Sequence, residues 1–432
     1  MTSTFPRRAD RYAIGLKLIG LAASLFACNT FATTPSVKPI PTRTPTGTAV
    51  TPLALSAGYS STCALMSNQT IRCWGANDGG QLGGSLGGHG AMARAVPVLE
   101  NDGSLLSHVT QVSMGNHHAC AIVSGAVKCW GSNTEGQLGI GTTDPEGIVR
   151  GPTWVNHLTF GNDYVVEIAA GKDHTCALLS TAVVKCWGDN HIEQSGQINP
   201  TAPNMAPVTL PLQVDLGGAT AYHIASGSYH TCASTTMGTQ CWGLNAYGEL
   251  GRDTGWSYWD MPAASATDIE GVRRLVTSPS ADHTCAGRTA LPYACWGRNE
   301  FGQRGDGMFG SANLWDTTEV MYDPGFQDFA AGALNSCGVY NHLVYCTGSN
   351  GSGQLTQSGI VSSNVPVLTT VPAAARKVAV GAGHVCATVG NRVMCWGSNE
   401  EGALGRNAFC DNTPQSLCSS PNPAFVSGIN AP

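Results

Sequence analysis

Residues 120–131 read Cys120-Ala-Ile-Val-Ser-Gly-Ala-Val-Lys-Cys129-Trp130-Gly131, with two cysteines nine residues apart about a central Ser124-Gly125. A two-residue loop containing glycine is a strong sign of a β-hairpin. Counting outward from that loop, Val123 faces Ala126 as a hydrogen-bonded pair, and pair types alternate from there. Cys120 then opposes Cys129 at a non-hydrogen-bonded position, where Cα atoms stand about 4.5 Å apart. A disulfide spans that separation.

Six further pairs share the pattern: Cys63 with Cys73, Cys176 with Cys186, Cys232 with Cys241, Cys285 with Cys295, Cys337 with Cys346, and Cys386 with Cys395. Asn341-His342 and Gly390-Asn391 sit at the midpoint of their own pairs. Pairs ten residues apart carry one extra loop residue (midpoint Asn68 in the first), which a bulged turn absorbs. Structural zinc sites gather four ligands, commonly at two-to-four-residue spacing, whereas each pair here is alone on its hairpin. Disulfides are therefore expected. Cys410 and Cys418 make an eighth pair, leaving Cys28 as the odd one of 17 cysteines. Such density implies an oxidising compartment.

First cysteines of successive pairs lie 49 to 57 residues apart. A unit of that length repeated seven times marks a propeller or solenoid, whose single unit cannot bury its own apolar face. Upstream of the first cysteine comes Gly-x-x-His: Gly115 with His118, Gly171 with His174, Gly227 with His230, and Gly381 with His384. Ser61, His283 and Asn335 hold the histidine's place in the other repeats. Downstream, a glycine and an asparagine two residues later occur in all seven, from Gly75 and Asn77 to Gly397 and Asn399. Gln-Leu-Gly or a variant closes the unit, and Val-Pro-Val (Val96-Pro97-Val98, Val365-Pro366-Val367) begins a new strand.

The run Trp-Gly-x-Asn-x-x-Gly-Gln-Leu-Gly resembles the repeat of the RCC1 family, the regulator of chromosome condensation. The resemblance covers residues 53–428 and implies that residues 53–432 form an all-β, seven-bladed RCC1-like β-propeller with four antiparallel strands per blade. The paired cysteines resemble the exported bacterial branch of the family. Between Pro97 and Gly115 there is room for two strands, but only Thr51–Ser56 precede the first hairpin. The strand in Pro423–Ile429 has no hairpin after it. The ring is therefore expected to be closed by this C-terminal strand completing the first blade, with a Cys410 to Cys418 disulfide stapling the connection.

Arg7, Arg8, Arg11 and Lys17 precede the apolar stretch Leu18–Ala27, which is too short to span a bilayer. Residues 1–27 read as a signal peptide. Leu25-Phe26-Ala27-Cys28 resembles a lipobox, with Cys28 the lipidated residue, although Phe26 is large for that motif. Cleavage after Ala32 is the alternative. Residues 28–52, rich in Thr and Pro, form an extended tether. The expected location is the cell envelope through this anchor, or the extracellular medium.

Without residues 1–27 the chain carries 18 basic and 27 acidic residues, a net charge of −9. Clustered Lys and Arg are absent, which argues against nucleic-acid binding. Export likewise separates the chain from cytosolic GTPases, so the exchange activity of the family's name-giver ranks low. His118, His174, His230, His283 and His384 share one repeat position and suggest a metal ring. The substitutions Ser61 and Asn335 point instead to hydrogen bonding, and no metal or cofactor is expected. The tryptophans of Cys-Trp-Gly (Trp74, Trp130, Trp187, Trp242, Trp296, Trp396; Thr347 in the sixth repeat) read as packing between blades. No nucleophile elbow, zinc-protease helix or phosphate loop is present, so no catalytic residues are assigned.

Departures from the repeat carry the functional expectation. Two successive repeats insert aromatic residues after the Gln-Leu-Gly position: Trp256, Tyr258 and Trp259, then Phe309, Trp315 and Tyr322. Exposed aromatics flanked by acids are what protein-binding hot spots use. The expected function is an exported, non-enzymatic scaffold for an unknown protein partner. The alternatives are a glycan-binding or an enzyme-inhibiting propeller.

Overall fold

The computed structural model describes residues 49–84, 90–145, 150–197, 206–253, 259–260, 269, 271–289, 291–310, 318–319, 325–408 and 418–430. Contacts separate residues 1–48 from the unit 49–432. The stretch expected to be a signal peptide, Cys28 and the expected tether up to Thr48 lie outside the described residues.

Unit 49–432 is built from seven four-stranded antiparallel sheets, each formed from consecutive strands. The first blade comprises Pro52–Ala57, Ser61–Met66, Ile71–Gly75 and Met92–Pro97. First strands of all seven blades line an axial cavity of about 200 Å³. Second strands such as His118–Val123 are buried at every position. They lack the polar-apolar alternation of a surface strand because neighbouring blades cover both of their faces. Buried clusters accordingly span two blades: Cys63 and Ile71 pack with Val112, Met114 and Trp130.

The hairpins form as their spacing predicts. Val123 pairs with Ala126 and Cys120 with Cys129. Ser124 and Gly125 both take positive φ (51° and 85°), which a tight two-residue turn requires. In the first and third hairpins, of ten-residue spacing, the added residue is absorbed at Gln69 and Ala182, with φ of 64° and 62°.

All seven expected hairpin disulfides are present. Cys63 is bonded to Cys73, Cys120 to Cys129, Cys176 to Cys186, and Cys232 to Cys241. Cys285 is bonded to Cys295, Cys337 to Cys346, and Cys386 to Cys395. Their Cα–Cα distances run from 4.0 to 4.2 Å, close to the separation of a non-hydrogen-bonded pair. Both members of every pair are fully buried. Cys418 is also disulfide-bonded. Cys410 lies outside the described residues.

One expectation about the closure is corrected. The C-terminal strand Ser419–Phe425 pairs with Arg392–Ser398 in the seventh sheet, and the first sheet has four strands of its own. Val96-Pro97 ends the outer strand of the first blade, so Pro97–Gly115 holds only one complete strand of the next, Val109–Met114. The C-terminal segment still closes the ring, through the residues that follow its strand. Ala95 N–H donates to Ser427 O at 2.9 Å, and Arg72 Nη1 donates to Gly428 O at 3.2 Å. Val426 and Ile429 pack with Trp74 and Ala95 of the first blade.

Candidate functional site

The repeated histidines join one blade to the next. His118 Nε2 meets Thr175 Oγ1 at 2.9 Å, His174 meets Thr231 at 2.9 Å, and His230 meets Thr284 at 2.7 Å. His283 meets Ser336 at 2.8 Å, and His384 of the last blade meets Thr62 of the first at 2.8 Å. Thr175 and Thr231 pass their own protons to the carbonyls of Gln137 and Gln194. His118 and His174 are thereby the donors, as Nε2–H tautomers. Burial pushes the pKa of His118, His230 and His283 down to about 3, and that of His174 and His384 to about 4. A side chain on Gly115 would place its Cβ 2.2 Å from His118 Cε1, which explains the glycine three residues earlier.

Tryptophan and Gln-Leu-Gly form the second half of the seam. The indole N–H of Trp130 donates to Gln81 O at 3.0 Å, and that of Trp187 to Gln137 O at 2.8 Å. Trp74 closes the series by donating to Ala403 O at 3.0 Å. In the sixth blade Thr347 Oγ1 donates to Gln303 O at 3.3 Å, keeping the hydrogen bond without the ring. All seven repeat asparagines accept the backbone N–H five residues on, as in Leu82 N–H to Asn77 Oδ1 at 3.0 Å. Histidine, tryptophan, asparagine and cysteine of the repeat are thus committed to the fold.

What remains lies on the loop face, formed by the first turn of each blade and the loop after its third strand. Tyr59, Asp78, Asn116, His117, Glu400 and Glu401 line a cleft of about 480 Å³ there, between the last blade and the first two. A neighbouring cleft of about 560 Å³ shares Asp78 and His117 and adds Glu135 and Asp144. His117 Nδ1 stands 3.2 Å from Asp78 Oδ2. That contact raises the histidine's pKa and holds the Asp78 carboxyl well below the usual range. Glu135, Asp189 and His191 bring ligand atoms within 4.8 Å of one another, a trio able to offer donors to a cation. His191 bonds Asp189, which raises its pKa, while burial and then Asp189 raise that of Glu135.

The aromatic residues singled out from the sequence are not among the residues that line these clefts. Trp256, Tyr258, Trp315 and Tyr322 lie outside the described residues. Trp259 begins the short outer strand Trp259–Asp260 of the fourth blade. Phe309 is exposed (53%), as is its neighbour Met308 (49%). Sequence reasoning missed the acid-lined clefts, whose members come from three blades and carry no common spacing. It also missed Trp154 and Phe160, exposed beneath the ammonium groups of Lys128 and Lys185.

RCC1-repeat family models match residues 124–178, and 53–81, 109–137 and 165–197. The ultraviolet-B receptor of Arabidopsis thaliana is 30% identical over 45% of this chain and 43% of its own length. A secretion-regulating guanine nucleotide exchange factor of Bos taurus is 28% identical over 68% of this chain and 64% of its own length. The chain thus spans less than two thirds of either relative. Among solved structures, Prp20p of Saccharomyces cerevisiae superposes with a TM-score of 0.70 at 20% identity, over 85% of this chain and 88% of that one. Human WBSCR16 gives 0.66 at 18% identity, over 83% and 94%. Repeat matches, blade count and superposition agree: the chain is an RCC1-like repeat β-propeller with its paired cysteines joined in every blade.

Proposed function

We propose that this propeller is a non-enzymatic protein-binding scaffold working outside the reducing cytosol, held at the cell envelope through Cys28 or released to the medium. The division of labour among its side chains carries the reading. Residues repeated in the blades are committed to the seams, hairpins and loops of the frame, whereas the loop face, where the repeats diverge, exposes Met308 and Phe309. Large apolar side chains exposed on a rigid frame are what a protein interface uses as anchors. Hairpin disulfides support an oxidising location, and the basic region before Leu18–Ala27 supports export. The structure of Prp20p was described together with its binding to Gsp1p and histones, so protein partners occur on this fold. Exchange activity on a cytosolic GTPase ranks below this reading, because disulfides of this density are rare in that compartment.

The test is affinity capture from envelope and medium fractions. The oxidised propeller is compared with a Trp256→Ala, Trp259→Ala, Trp315→Ala variant. A partner held by the native protein and lost by the folded variant is the expected result. Retention of the same partner by both would move the interface off these loops. Release by free saccharide would instead support a glycan-binding module.

A further inference from the structure

The 480 Å³ cleft between the seventh, first and second blades joins an exposed aromatic ring to carboxylates from two blades. Tyr59 is exposed (51%) and comes from the first turn of the first blade. Asp78 comes from the loop after that blade's third strand, and Glu400 and Glu401 from the matching loop of the last blade. This aromatic-carboxylate composition favours a cation: a ring face attracts a positive group, and carboxylates accept its hydrogen bonds.

Asn116 adds an independent sign. It lines the same cleft and is only 7% exposed, yet its buried Oδ1 has no hydrogen-bond partner. A buried acceptor without a donor is costly, and a donor-rich ligand would relieve it. Guanidinium presents five N–H groups in a planar fork and no acceptor, which matches a site rich in acceptors. An arginine side chain also fits where a rigid ring lies beside carboxylates.

Resting on the scaffold reading and naming the chemistry of its partner, we propose that this cleft receives an arginine side chain from a protein ligand. Tyr59 stacks on the guanidinium, Asp78, Glu400 and Glu401 pair with it, and Asn116 accepts a hydrogen bond. His117 is the resident competitor. It faces Asp78, with Asp173 and Lys172 the other charged groups acting on it. Once protonated, His117 adds a positive charge beside the guanidinium, so arginine binding weakens as pH falls through the titration of His117.

The probe is a tri-arginine peptide amide, titrated calorimetrically into the oxidised full propeller at low ionic strength. A tri-citrulline peptide serves as the uncharged isostere. The expected result is at least tenfold tighter binding of the arginine peptide, weakening from pH 8 to pH 5.5. Asp78→Asn, Glu400→Gln, Glu401→Gln should lose at least tenfold in affinity. Asp102→Asn, Asp163→Asn, Asp215→Asn removes the same charge from the connections between blades and should leave binding within twofold. Equal weakening by both triple variants means attraction to net charge alone and overturns the site. So does equal binding of the two peptides. A Tyr59→Leu variant with unchanged affinity overturns the stacking role. Thermal unfolding of each variant reports whether it is folded. Failure here leaves the aromatic-loop capture experiment untouched, whereas failure of that capture with success here would keep a binding face and move its centre to this cleft.

Discussion

Glu249 stands where five other repeats place glutamine: Gln81, Gln137, Gln194, Gln303 and Gln354. Like them it accepts a backbone N–H two residues back, from Tyr247 at 2.8 Å, but its Oε1 is buried without a partner. Burial raises its pKa to about 8, with Asp282 adding to the rise and Arg298 opposing it. The folded protein therefore binds one more proton than the unfolded chain between pH about 4.5 and 8, and stability falls as pH rises through that window. Glu249→Gln should stabilise at pH 8 by roughly 2 to 4 kcal/mol and leave stability near pH 4.5 almost unchanged. Denaturant midpoints at the two pH values check this, and equal gains at both would refute it. The buried histidines act in the opposite direction. Their folded pKa values of about 3 to 4 lie below the unfolded value, so stability falls as pH drops from about 6.5. A His174→Gln variant should take up about one proton fewer on unfolding at pH 5. Calorimetry in buffers of different ionisation enthalpy measures that uptake. An unchanged uptake would show that His174 is protonated in the folded state. The exceptions at this position also make physical sense. Ser61 and Asn335 replace histidine in the two repeats whose following blades carry Ala119 and Val385 at the register position of the partner hydroxyl. With no hydroxyl to receive its proton, an imidazole there would have been an unpaired buried donor.

At the scale of the element, each blade is a covalently closed hairpin flanked by two further strands. Opening one disulfide by Cys120→Ser, Cys129→Ser should cost about 2 to 3 kcal/mol, the entropy of closing so short a loop. Chemical denaturation of the variant measures it, and a loss under about 0.5 kcal/mol would mean that the hairpin is equally restrained when unfolded. The loop after the third strand depends on its asparagine. Asn133 accepts from Leu138 N–H at 3.1 Å and donates to Thr142 O at 2.9 Å. Asn133→Ala should cost about 1 to 3 kcal/mol because buried backbone groups lose their partners. Local hydrogen exchange at Leu138 should quicken; if it does not, the loop is held by other contacts. The hairpins were legible in the sequence because cysteine spacing, turn residues and the alternation of pair types outward from the turn act locally. The place of the outer strand was not. Val-Pro-Val read as the beginning of a new strand, yet Pro97 ends the outer strand of the first blade, and a proline suits the last strand of a sheet, at its edge, as well as a first.

Across the whole molecule, stability is shared among nearest-neighbour seams that close on themselves. The closing seam is the one between distant parts of the chain: His384 to Thr62, Trp74 to Ala403, and Ser427 to Ala95. Removing Ser419–Pro432 strips Val426 and Ile429 from Trp74 and exposes the edge of Arg392–Ser398. We expect loss of a single cooperative transition and a red shift of tryptophan emission. Retention of both in the truncated protein would show that hydrogen bonds of the remaining seam suffice. The sequence by itself determined the all-β class, the seven units, the hairpin disulfides and the role of histidine and tryptophan as structure, because each is written in spacings within one repeat or in the regular recurrence of the repeat itself. Only the tertiary structure decided which sheet receives the last strand, which hydroxyl meets each histidine, and that Tyr59, Asp78, Asn116 and Glu400 share one cleft. Those residues lie as far as 341 positions apart, and proximity between them exists only once the ring has closed.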